Sequence, residues 1–241
     1  MAMKTKETND KKIKDLQQRA SEWRRFGVDN LKAESRSDDG EGPEKHIIDG
    51  HAAVYSRMTD IGGWFHEIVE PGAFDGCDLT DVPFIVNHDT YKIPLARSRN
   101  NNGNSTLTIS TDGVGLAFSA SVDTENNQEA RQLYSAIQRG DVDGMSYCFR
   151  VQEDNWTDLD QDMPTRHITK IAKVYEISAV TFPAYGDTDI NARQAQDALE
   201  SAQKVLESAR AKAQLDSRAT SLESDAELRD AYKLKIKILA Q

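Results

Sequence analysis

The sequence predicts an α+β fold: a small, mostly antiparallel β-barrel or open sheet with packed helices, and helical extensions at both ends. Three observations support this prediction. Short runs rich in β-branched and aromatic residues alternate with Gly, Pro, Asn and Asp in the middle of the chain. One amphipathic helical pattern interrupts these runs. Charged segments with helical periodicity stand at the two ends.

Charge and turn-forming residues divide the 241 residues into three parts. Residues 46–190 contain 10 Lys/Arg and 22 Asp/Glu, and they hold 11 of the 14 glycines. The flanking parts are rich in charge but close to neutral. We therefore predict a charged N-terminal arm and linker over 1–45, a central domain over 46–190 and a helical C-terminal tail over 191–241.

The central domain is predicted to consist mainly of strands with one helix among them. The helix can be capped by Asp123 or Thr124 and should end at Gly140, because small polar residues begin helices and glycine ends them. The strands are predicted at 46–55, 64–69, 82–87, 105–110, 114–121, 144–151 and 166–182.

Helical spacing is also present at both ends. Apolar residues three or four apart predict a helix over about 9–26, followed by a polar linker over 35–44. In the C-terminal tail, alanine and leucine recur at heptad spacing between 195 and 213. We call this apolar stripe the heptad seam. It is weak because it is rich in alanine, so it predicts either a solvated helix or a partner-binding tail.

Composition excludes several classes of function. A formal net charge of -10 disfavours binding to nucleic acid. The chain shows neither an apolar run long enough to cross a membrane nor a secretory signal pattern, so we expect a cytoplasm-like compartment. Cys77 and Cys148 are far apart, and the five histidines lack metal-ligand spacing. We therefore expect no disulfide, metal, cofactor, nucleic-acid partner or membrane association.

Three side chains in the central domain are candidates for chemistry. His88 follows a predicted strand, although a lone histidine is more often structural. Period-two alternation places Ser146 and Cys148 on the face opposite the large apolar residues, which predicts that Ser146 faces solvent. Glu176 lies in a run that is apolar on both faces, so its carboxylate needs a partner, either a core arginine or a catalytic imidazole.

Four segments in order, 62–74, 87–89, 140–146 and 176–184, resemble the tailed-phage prohead (capsid maturation) serine proteases of the HK97 type. The resemblance covers about residues 46–190. It implies a serine endopeptidase with a fold related to the herpesvirus assemblin proteases. Such an enzyme cleaves scaffold and coat-protein segments, and itself, inside an immature shell.

The same resemblance assigns roles to the candidates. It implies that Ser146 is the nucleophile, His88 the general base and Glu176 the third member of a triad. Asp89 adjoins the histidine and stays an alternative to Glu176. Cys148 stands where the family commonly has glycine, which leaves open a thiol nucleophile and sensitivity to alkylation.

Further expectations concern partners and location. The resemblance implies contacts with the major capsid protein and scaffold segments, self-association, and a location inside the phage procapsid in the host cytoplasm. One alternative is an inactive capsid or scaffold interaction protein with a protease-like domain. That alternative predicts no self-cleavage.

Overall fold

The computed structural model describes residues 22–27, 30–37, 45–181 and 200–218. Strands and helices are numbered here in chain order. The strands are β1 (Glu22–Gly27), β2 (Lys32–Arg36), β3 (Lys45–Val54), β4 (Thr59–Ile61), β5 (Phe65–Val69), β6 (Pro83–Val86), β7 (Ala96–Arg97), β8 (Leu107–Thr111), β9 (Gly115–Val122), β10 (Gly144–Thr157) and β11 (Thr165–Val180). The helices are α1 (Gln128–Arg139) and α2 (200–218).

The strands form two open sheets. The larger sheet has the order β1-β10-β11-β5-β4, with β6 also paired to β11 and β7 paired to β6. The smaller sheet is antiparallel and has the order β2-β3-β9-β8. Among the described strands, only the pairs β11–β5 and β11–β6 are parallel. The predicted mixed α+β class with a mostly antiparallel open sheet is therefore confirmed.

One hydrophobic core contains residues from both sheets and from α1. Strand β9 illustrates why its sequence forms a strand, because its buried and half-buried residues alternate over most of its length. The apolar stripe of α1 enters the same core with Leu133, Tyr134 and Ile137. The hydroxyl of Tyr134 lies 3.3 Å from Oγ of Ser35 in β2. Within the described ranges, no helix is long and apolar enough to cross a membrane.

The predicted start of α1 is wrong by one turn. Asn127, not Asp123 or Thr124, is the N-cap, and its side chain accepts hydrogen bonds from the amides of Glu129 and Ala130. Asp123 instead accepts the amides of the two residues that follow Thr124, which forms a turn before the helix. The predicted end at Gly140 is confirmed, with glycine in the left-handed conformation at φ 76°.

The N-terminal helix predicted over 9–26 is wrong for its described part. Residues 22–27 form strand β1, which pairs antiparallel with β10. The predicted linker is also ordered at its beginning, because Ser35 and Arg36 lie in β2. Residues 1–21 of the predicted arm lie outside the described residues. Strand β1 pairs with β10 and strand β2 pairs with β3, because the backbone groups at the edges of β10 and β3 need hydrogen-bond partners.

The C-terminal tail is helical over 200–218, and the rest of it lies outside the described residues. Two positions of the heptad seam, Ala202 and Leu206, are buried in a small second cluster with Ile61 and Phe65. Arg210 also donates hydrogen bonds to the carbonyls of Leu159 and Gln161. Ala202 and Leu206 of the seam therefore pack on the chain's own larger sheet, whereas Ala213 is exposed. The three-part domain division stays a prediction.

Candidate active site

Strand β10 carries Ser146 in the larger sheet, between β1 and β11. The predicted alternation is confirmed, since Met145, Tyr147 and Phe149 enter the hydrophobic core. The prediction that Ser146 faces solvent is wrong, because its exposed fraction is 0% and that of Cys148 is 4%. Strands β1 and β11 flank this part of β10 on both sides. The serine therefore lies within a closed part of the sheet.

The hydroxyl of Ser146 is engaged by the N-terminal strand. Ser146 lies opposite Arg25 in the β1–β10 register. Its Oγ donates a hydrogen bond of 2.7 Å to the backbone carbonyl of Arg24. A hydroxyl has a single proton to donate, so this contact excludes simultaneous donation to another acceptor.

His88 follows the end of β6 and is held in an uncommon backbone conformation. Asn87 and His88 have φ values of 50° and 58°, which place both residues in the left-handed region. The amide of His88 donates to Oγ of Ser178 at 3.0 Å, and the amide of Asn87 donates to the carbonyl of Ala179 at 2.9 Å. The Asn87 side chain accepts the amide of Thr181 at 3.1 Å. These bonds to β11 and to Thr181 fix the turn at Asn87 and His88, from which the imidazole reaches Glu176 on β11.

Glu176 on β11 is buried, as the sequence predicts, and its partner is an imidazole. Its Oε1 lies 2.6 Å from Nδ1 of His88, and both side chains are about 5% exposed. An ionised carboxylate can only accept a hydrogen bond, so Nδ1 carries the proton in this contact. In that tautomer of His88, Nε2 holds the lone pair and can accept a proton.

The alternative partner, Asp89, contacts the chain that follows it. Its carboxylate accepts the amide of Tyr91 at 3.2 Å and lies 3.9 Å from the ammonium of Lys92. Asp89 is also more than a third exposed as a side chain. The 2.6 Å contact with Nδ1 of His88 makes Glu176 the stronger candidate for the orienting carboxylate.

Backbone register places the three candidates close together. In the β10–β11 pair, Ser146 lies opposite Ser178 and Cys148 lies opposite Glu176. Ser178 in turn contacts His88 through its hydroxyl, so it links the strand of the serine to the histidine turn. The sequence analysis missed Ser178, although its position two residues after Glu176 on the same strand face was a usable signal.

A group of buried charges lies beside the site, on the other face of β1 and β10. It consists of Glu22, Arg24, Glu67 and Arg166, each 7% exposed or less. The guanidinium of Arg24 binds both oxygens of Glu67, with Nη2 at 2.7 Å from Oε2. Arg166 binds Glu22 at 2.6 and 3.1 Å and Glu67 at 3.1 Å. We call these four residues the buried charge cluster.

The buried charge cluster is electrically balanced and also reaches the outer part of β10, where Asp154 binds Arg166 at 2.7 Å. Burial opposes ionisation of Glu22, but the attraction of Arg166 and Arg24 outweighs it and lowers the pKa of this carboxyl from 4.5 to about 2. The two acids likewise outweigh burial at Arg166 and raise its pKa. Glu22 and Arg166 are therefore charged at neutral pH.

Comparisons with known proteins show the family to which the chain belongs. The sequence profile of the family described as caudovirus prohead serine protease matches residues 31–202. The prohead protease of Enterobacteria phage HK97, a curated relative, is 31% identical over 170 residues, which cover 69% of this chain and 68% of the relative. The solved structure of the bacteriophage T4 capsid assembly protease aligns with 68% of this chain and 98% of its own, at 12% identity and a TM-score of 0.40.

Proposed function

Because the chain belongs to the caudovirus prohead serine protease family, we propose that Ser146, His88 and Glu176 are the catalytic triad of this capsid maturation protease. The observation that carries the proposal is the 2.6 Å contact between Nδ1 of His88 and Oε1 of Glu176. Both side chains are buried, and Glu176 lies on β11, the strand next to that of Ser146. A buried carboxylate–imidazole pair beside a serine is the arrangement that activates a hydroxyl nucleophile.

The proposed mechanism assigns one task to each side chain. Oγ of Ser146 attacks the carbonyl carbon of the scissile peptide bond while Nε2 of His88 takes its proton. His88 then gives that proton to the departing amine, and a water molecule repeats the sequence on the acyl-enzyme. Glu176 keeps the proton on Nδ1 and stabilises the imidazolium that forms in each half of the reaction.

The substrates are proposed to be segments of scaffold and coat proteins and the protease chain itself. The proposed place of action is the interior of a phage procapsid in the host cytoplasm, and self-association is proposed to concentrate the enzyme there. The name of the HK97 relative supports this proposal, since that protein is a prohead protease. The proposed fold type is that of the herpesvirus assemblins, supported by the open, mostly antiparallel sheet.

The proposal predicts that Ser146→Ala abolishes cleavage without unfolding the chain. Loss of the nucleophile of a triad lowers the rate by at least about 10⁴-fold. The measurement is the intact mass of the protease and of a coat-protein precursor expressed with it. Ser110→Ala is the matched control, because Ser110 is an exposed serine in strand β8. Unchanged processing by Ser146→Ala would show that another residue is the nucleophile.

A parallel arm tests the thiol alternative. Cys148→Ala should keep at least part of the activity, and iodoacetamide should not inhibit the wild type. Burial raises the pKa of the second thiol, Cys77, to about 12, so this group stays protonated at neutral pH and adds little background to the alkylation. Complete inhibition by iodoacetamide that Cys148→Ala removes would identify Cys148 as the nucleophile.

A further inference from the structure

Strand β1 lies on the edge of β10 at the position where a substrate strand would add to the sheet. It runs antiparallel to β10 over six residue pairs, from Glu22 opposite Phe149 to Gly27 opposite Gly144. The family match begins at residue 31, so β1 precedes the part of the chain that corresponds to the family profile. Extended peptides commonly bind by adding a strand to a sheet edge, with alternate side chains in pockets.

The contact between β1 and the proposed nucleophile is directed at one carbonyl group. Oγ of Ser146 donates to the carbonyl oxygen of Arg24 at 2.7 Å. In the proposed mechanism the same proton must go to His88, so β1 in this position holds Ser146 in a state that cannot transfer its proton to the base. Arg24 is therefore the residue of β1 whose carbonyl group lies at the proposed nucleophile.

Two side chains of β1 each bind a buried residue of opposite charge on another strand. Glu22 and Arg24 are two residues apart and point to the same face of the strand. Arg24 binds Glu67 with two hydrogen bonds, and Glu22 binds Arg166 with two. Without β1, Glu67 and Arg166 would remain as neighbours 3.1 Å apart, each with hydrogen-bonding capacity to spare.

We propose that β1 occupies the substrate site of the enzyme, and that substrates bind there as an extended strand with a basic residue at the position of Arg24 and an acidic residue two positions earlier. Glu67 selects the basic side chain and Arg166 selects the acidic one. This inference rests on the proposed function, because it takes Ser146 as the nucleophile. Beyond the proposed function, it specifies the class of peptide that the enzyme recognises. It also implies that β1 must leave the site before a substrate can bind.

The reaction that follows release of β1 is an ordinary peptide hydrolysis. Oγ of Ser146 forms an ester with the carbonyl carbon of the basic residue, and the bond from that carbon to the next nitrogen breaks. The proton of Ser146 passes through His88 to the released amine. Water then hydrolyses the ester and leaves a carboxylate on the basic residue.

The experiment measures peptide binding rather than cleavage. The full-length chain with Ser146→Ala receives Glu22→Ala and Arg24→Ala, which weaken the attachment of β1. One labelled peptide has the sequence of residues 22–27, and a matched peptide has its first and third residues exchanged. The exchange places acid against Glu67 and base against Arg166, so we expect at least about tenfold weaker binding of the exchanged peptide by fluorescence anisotropy.

A matched control variant comes from β2, which carries the same pair of residue types at an exposed place. Glu34 and Arg36 are about half exposed and lie 3.3 Å apart. Glu34→Ala with Arg36→Ala, in the same Ser146→Ala background, leaves β1 in place and should bind the first peptide at least about tenfold more weakly than the β1 variant. Equal affinity of the β1 variant for both peptides, or no binding by a β1 variant that unfolds cooperatively, would overturn the proposal.

A second measurement covers the case in which the β1 variant does not fold. The active full-length chain cleaves a coat-protein precursor in the presence of each peptide, and the first should inhibit at a concentration about tenfold lower than the second. Equal inhibition or none would overturn the proposed selectivity. Failure of the proposed triad would show differently, as unchanged cleavage by Ser146→Ala, whereas the binding difference does not depend on cleavage.

Discussion

At the scale of single residues, His88 combines a strained backbone with a buried imidazole. A non-glycine residue in the left-handed region costs on the order of 1 kcal/mol, and the structure maintains it here at two consecutive positions. The amides of His88 and Asn87 donate to Ser178 and Ala179 of β11, and the amide of Thr181, just after β11, donates to the side chain of Asn87. The same strand supplies Glu176, so one element both positions the imidazole and orients it.

The residue scale yields a prediction for Glu176→Gln. The amide can donate to Nδ1 and so favour the tautomer with its proton on Nε2, which cannot accept a proton from Ser146. We expect kcat to fall by about 10²- to 10⁴-fold with little change in KM. Glu153→Gln on the exposed part of β10 is the control. Full activity of Glu176→Gln on a coat-protein precursor would remove Glu176 from the mechanism.

At the scale of elements, α2 is attached to the larger sheet by a small apolar contact. Leu206 is 5% exposed and packs near Phe65, whereas Leu215 on the same helix is 56% exposed. We expect Leu206→Ala to lower the free energy of unfolding by about 2–3 kcal/mol. Leu215→Ala should change it by less than about 0.5 kcal/mol. Urea denaturation of both variants measures the difference, and equal effects would contradict the described packing.

Strand β1 is an element whose stability should depend on pH. The folded-state pKa of Glu22, about 2, lies below its usual 4.5, so the folded state binds fewer protons than the unfolded state in this interval. Its contribution to stability is therefore complete above about pH 4.5 and is lost as the pH falls towards 2. Hydrogen exchange of residues 22–27 should accelerate over this interval. A Glu22→Gln variant should show a weaker pH dependence, and an identical one would contradict the role of Glu22.

At the scale of the whole molecule, the buried charge cluster joins strands that are distant in sequence. Arg166 on β11 binds residues of β1, β5 and β10. Removing one partner from such a cluster leaves the acids buried without compensation, which is more costly than loss of a surface pair. The cluster therefore couples the N-terminal strand to the central sheet.

This coupling predicts a large effect of Arg166→Ala. We expect the free energy of unfolding to fall by about 3–5 kcal/mol. Arg97→Ala is the control, because Arg97 binds Asp81 at an exposed place and should cost less than about 1 kcal/mol. Thermal unfolding followed by circular dichroism compares the two. Similar losses in both variants would contradict a special role for the cluster.

The sequence by itself determined the class of the fold and the positions of the longer central strands, although β10 continues to Thr157 beyond its predicted end at residue 151. It supplied the candidate triad as a prediction. Strands such as β9 and β10 were predictable because their apolar residues alternate with period two and enter one core. The end of α1 at Gly140 was predictable for a similarly local reason, since glycine adopts the left-handed cap without steric cost. Ser146, His88 and Glu176 were identified from local patterns and from the family resemblance.

Only the tertiary structure decided that residues 22–27 form strand β1 rather than a helix, and that Ser146 is buried. Glu22 and Arg24 form an ion pair with each other, but this local pair does not by itself indicate that the two side chains are buried. Their partners lie 43 residues away at Glu67 and 144 residues away at Arg166. Strand pairing and ion pairing over such separations depend on the folded sheet, which brings distant edges together and makes burial of charge possible.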